Sequence, residues 1–81
     1  METKVAIVGI IVEDAEKVTE VQKLLSEYSD HIIGRMGIPY KQKDVRIISV
    51  VLDAPIDTIN ALTGKIGKIS GISAKTVYSN V

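Results

Sequence analysis

Arg35 stands between Gly34 and Gly37 in the segment Gly34-Arg-Met-Gly-Ile-Pro-Tyr40. No other group in the chain is better suited to hold an anion. A guanidinium can grip a carboxylate or phosphate through two parallel N–H donors. Glycines on either side leave room for a ligand or another backbone to come close, or mark a bulge in a strand. Arg35 would equally suit an edge strand, paired with an acidic residue of a second subunit. Glu13 and Asp14 form an adjacent carboxylate pair that could bind a cation. They also suit the start of a helix, where negative charge is favoured and Asp is a good N-cap. Tyr40, with Lys41 and Lys43, could close over a site near Arg35. The candidate ligand-binding residues are therefore Arg35, Gly34, Gly37, Glu13, Asp14 and Tyr40.

Other chemistry is sparse. His31 is the one histidine and there is no cysteine, so the usual three or four ligands of a transition-metal site are not at hand. His31 reads better as a turn residue at the start of a strand. No serine stands in a nucleophile-elbow motif and no phosphate-cradling glycine loop is followed by Lys-Ser/Thr. The expectation is no catalytic residue, no metal and no cofactor.

The elements that must position these groups follow from hydrophobic periodicity. Lys4 to Val12 is apolar at nearly every position, as in a strand buried on both faces. Ala15, Val18, Val21, Leu24, Leu25 and Tyr28 then recur at helical spacing, predicting an amphipathic helix that begins near Asp14. His31 to Ile38 reads as a second strand and Pro39 to Asp44 as a polar hairpin loop. Val45 to Leu52 is a third strand, apolar on both faces. Asp53-Ala54-Pro55 reads as a helix start, with Ile56, Ile59, Leu62, Ile66 and Ile69 on the apolar face and Gly71 as terminator. Gly64 and Gly67 weaken this helix, allow close packing or mark an early end. Ile72 to Ser79 is the last strand.

The order strand, helix, strand, strand, helix, strand predicts an α+β, ferredoxin-like (ACT-like) sandwich. It would be a single domain over residues 1–81, with a four-stranded antiparallel sheet carrying both helices on one face. The other face should be polar in a monomer. Here the first and third strands make it apolar, which predicts a homo-oligomer, either face to face or by side-by-side strand pairing.

Composition narrows the partners. Ten basic residues balance ten acidic ones, without a basic stripe, so direct nucleic-acid binding is not expected. Fold relatives that bind RNA stack bases on central-strand aromatics, and this chain has neither Phe nor Trp. Copper chaperones of this fold use a cysteine pair, and acylphosphatases place an arginine where Glu13-Asp14 stands. The apolar run Val5 to Val12 is too short to span a bilayer, and no signal peptide is recognisable. The expectation is a cytoplasmic protein that does not enter membranes.

The segment Gly34-Arg-Met-Gly-Ile-Pro-Tyr40, the first strand ending in Glu13-Asp14, Ile48-Ser-Val-Val-Leu-Asp53 and the stretch from Leu62 to Gly71 together give a resemblance. The chain resembles small ACT-like proteins described as iron-only hydrogenase system regulators. These are similar in fold to the C-terminal regulatory domain of the nickel-responsive repressor NikR. The resemblance implies a regulatory, ligand-sensing or scaffold role in dimers or tetramers. It also implies an effector site at a subunit interface near Glu13, Asp14 and Gly34 to Gly37. The repressor's nickel site uses several histidines and a cysteine, so a nickel sensor is not expected. The repressor's ribbon-helix-helix domain has no counterpart before the first strand, so regulation would run through a partner. A small cofactor-free enzyme using Arg35 and His31 at a subunit interface, and a purely structural assembly subunit, remain open alternatives.

Overall fold

The computed structural model describes residues 2–80. The strands are β1 (Lys4–Val12), β2 (Ile32–Tyr40), β3 (Val45–Ala54) and β4 (Ile72–Tyr78), with helices α1 (Val18–Glu27) and α2 (Ile56–Gly67). The sheet has the order β2-β3-β1-β4 and every neighbouring pair is antiparallel. This is the α+β ferredoxin-like arrangement.

Alternation along β1 decides the layers. Ala6, Val8, Ile10 and Val12 are each at most 1% exposed, whereas Ile7 and Ile11 are 46% and 44% exposed. The buried set joins Ile48, Val50, Leu52 and Ala54 of β3, Val21 and Leu25 of α1, and Ile59, Leu62 and Ile66 of α2 in one core. Each fully buried aliphatic side chain of this kind contributes about 1.5–3 kcal/mol. Between the helices, the Lys65 ammonium lies 5.3 Å from the centre of the half-buried Tyr28 ring, a cation–π contact.

The boundaries differ from the expectation in four places. Residues 15–17 form a 3-10 turn before α1, capped by the Asp14 carboxylate, which accepts from the Glu16 amide at 3.0 Å. β2 runs on through Pro39 and Tyr40, paired with Arg46 and Val45. Proline is tolerated there because β2 is an edge strand and needs no donor on its open side. What remains of the hairpin loop is a turn at Lys41–Lys43, closed by Asp44 in the left-handed region at φ 53°. β3 extends through Asp53 and Ala54, which pair with Val5 and Lys4, and α2 starts only after Pro55.

The glycines divide by role. At Gly64 and Gly67 an added Cβ would meet nothing within 4 Å, so neither allows close packing; Gly67 is the last residue of α2. Gly71 is different. Its φ is +78° and a Cβ there would lie 2.8 Å from that of Asp14. The Glu13 amide also donates to the Gly71 carbonyl at 2.8 Å. The β1–α1 and α2–β4 connections are thus locked together.

Opposite outcomes are expected for two glycine-to-alanine changes, measured by urea or thermal unfolding. Gly64→Ala should stabilise the fold by about 0.5–1 kcal/mol, because helix propensity improves without a clash. Gly71→Ala should cost at least about 1–2 kcal/mol from the left-handed backbone alone.

Candidate functional site

Cross-strand register places the sequence-predicted residues. Gly34, Met36, Ile38 and Tyr40 pair with Val51, Ser49, Ile47 and Val45, so they share the face that carries Ile7 and Ile11. Arg35 and Gly37 pair with the buried Val50 and Ile48, so they lie on the helix face. There the Arg35 guanidinium donates to the Gln22 side-chain carbonyl of α1. The arginine expected to hold a ligand or a neighbouring subunit thus has a partner in its own chain.

The glycine segment is irregular as expected. A register shift lies between Ile32 and Gly34, and a Cβ at Gly34 or Gly37 would meet nothing within 4 Å. Among the described residues, none fills the space beside these two glycines. β2 is also unusual in burial: Ile32 is half-buried and the remaining eight of its nine residues are exposed.

The candidate residues do not converge on one site. Tyr40 and Lys41 do not close over Arg35. Tyr40 is five residues along β2, roughly 16 Å away at strand spacing. It lines a cleft of about 190 Å³ together with Lys41, Val12, Val18, Pro39 and Arg46. Glu13 is exposed and Asp14 half-buried, and neither lines this cleft. Asp14 is engaged in capping and in the contact with Gly71. His31 ends a short 3-10 turn just before β2. Among the described residues no group of three or more His, Cys, Asp or Glu side chains is placed to hold a metal.

Two features were missed from sequence. Arg46 falls in phase with the buried Ile48, Val50 and Leu52, and a charge on the core parity of a strand was the available signal. Gly9, midway along β1, pairs with Ser49 on one side and Lys75 on the other. Across the open face this makes a low row, Met36-Ser49-Gly9-Lys75. Its neighbours are the apolar rows Val51-Ile7-Val77 and Ile38-Ile47-Ile11. The result is a shallow depression of about 330 Å³ around Gly9 and Ser49. The open face as a whole exposes Ile7, Ile11, Met36, Ile38, Ile47 and Val77, each between 36% and 66%.

The chain as a whole has known counterparts. The family model described as "TM1266-like: Iron-only hydrogenase system regulator, putative" matches residues 4–76, and thus every strand but the end of β4. The chain belongs to the TM1266-like family. Among solved structures, the uncharacterized protein TM1266 from Thermotoga maritima is similar to it, with a TM-score of 0.90 and 44% identity. The match covers 95% of this chain and 98% of that one. No curated protein matches the chain significantly. The family description makes this TM1266-like chain one of a group described as regulators.

The Arg35–Gln22 contact is exposed and neutral at one end, so its removal should be mild. Arg35→Ala is expected to cost no more than about 1 kcal/mol, with most of that loss absent in a Gln22→Ala background. Urea unfolding of the four proteins of this double-mutant cycle measures both quantities.

Proposed function

We propose that this chain is a non-catalytic regulatory module that works as a homo-oligomer, with the open sheet faces of two copies packed on each other. The exposed apolar face carries this reading. Strands about 4.8 Å apart and about 25 Å long give four strands a footprint on the order of 450 Å². Contiguous apolar patches beyond a few hundred Å² mark interaction surfaces in soluble proteins. Side-chain relief raises the accessible area above the flat footprint, towards the roughly 800 Å² that each partner contributes to a stable interface.

A second copy suits the surface chemically. Along the paired strands the only charges on this face are Lys75 and Asp53, and its centre is formed by Ile7, Ile11, Ile47, Gly9 and Ser49. The same low row and raised rows are present on each copy, so ridge and groove are available to both. The family description as regulators supports a regulatory role. The balanced charge favours a protein partner over direct contact with nucleic acid. The cytoplasm is the compartment this reading implies. Among the described residues no helix is long and apolar enough to cross a membrane.

Sedimentation velocity at about 100 μM should show a dimer or larger species. The double substitution Ile11→Asp with Ile47→Asp should convert it to a monomer with unchanged far-ultraviolet circular dichroism, since both side chains point away from the core. A wild-type monomer at that concentration, or a substituted protein that remains oligomeric, refutes assembly through this face.

A further inference from the structure

The cleft at the end of the sheet has a composition that the open face lacks. Its floor is apolar, formed by Val12 of β1, Val18 of α1 and Pro39 of β2, and two cations, Lys41 and Arg46, stand in its lining. Among the described residues the one ion pair is Lys17–Glu20 at 3.9 Å, so neither cleft cation is held in an ion pair. Asp44 also lines the cleft and leaves its charge at a net of one positive.

Arg46 is the decisive group. Its register partners are Val12 and Pro39, the two strands' contributions to the floor. Its stem can lie along apolar surface while the guanidinium stays at the rim. Arg35, by contrast, already donates to Gln22. A planar fork of donors above an apolar floor matches a carboxylate joined to a small hydrocarbon body. The cleft is small, about 190 Å³, and open to solvent on one side, which suits a small occupant.

We propose that this cleft binds a small organic carboxylate with a compact apolar body, gripped by Arg46 with Lys41 beside it. The site lies within one chain, so it does not depend on assembly through the open face. It does not include Arg35, and although Val12 and Ala15 of its lining flank Glu13 and Asp14, those two carboxylates are not part of it.

The test is a titration of the isotope-labelled full-length chain followed by amide chemical shifts, with isovalerate as probe. Isovaleramide keeps the shape without the charge, and inorganic phosphate keeps the charge without the apolar body. Isovalerate should bind with a dissociation constant on the order of 1–10 mM, as expected for so few atoms. Its shifts should centre on Val12, Val18, Val45 and Arg46. The amide and the phosphate should each bind about tenfold more weakly or worse. Arg46→Gln should weaken isovalerate about tenfold, with an otherwise unchanged spectrum showing that the fold is retained, whereas Arg35→Gln should leave binding as it was. Absence of shifts at about 100 mM isovalerate, equal binding of isovaleramide, or dependence on Arg35 rather than Arg46 overturns the proposal. Equal binding of phosphate would mean that charge alone is read, and also overturns it.

Discussion

Two helices can cover one face of a four-stranded sheet and no more. Everything else in this molecule follows from how the sequence meets that constraint. On the covered face β1 and β3 supply alternate residues that are essentially inaccessible, and α1 and α2 close over them with five more buried side chains. On the uncovered face the same two strands remain apolar. A chain of 81 residues buries a modest share of its surface within itself, and here part of its apolar surface is left outward.

The fold was largely legible because its signals are periodic. Alternation in β1 and β3 and helical spacing in α1 and α2 are set by the core, and the structure obeys them. The errors fell where local chemistry and pairing compete. Pro39 and Tyr40 read as loop because the stretch to Asp44 is polar and lacks apolar periodicity, but pairing with Arg46 and Val45 carries the edge strand through them. Asp53 and Ala54 read as a helix start because Pro55 suits a position near the first helical residue. Pairing with Lys4 and Val5 instead holds them in β3.

The candidate site was less legible, since it depends on which residues lie side by side across strands. Arg35 stands out in the sequence between its glycines, but its face is set only by the register of β2 with Val50, which aims it at Gln22. Arg46 was hidden by its apolar neighbours, although its parity with Ile48 already set it apart. Gly9 sits inside an uninterrupted apolar run, and the low row it makes exists only in combination with Ser49 and Lys75 from strands distant in sequence.

β2 gives these observations a further meaning. It is held by its ladder with β3, by Ile32 at its start packed against the core, and by the Arg35–Gln22 contact to α1, with no fully buried residue of its own. The stretch from Gly34 to Tyr40 therefore carries little of the folding free energy of a single chain. Tolerance to substitution and importance to the molecule come apart in this strand. An amino-acid change there that leaves the unfolding curve in place yet abolishes biological activity identifies a contact made outside the chain. The same change in β1 or β3 would confound the two effects. β2 is in this sense a reporter strand, on which the demands of folding and of recognition can be read separately.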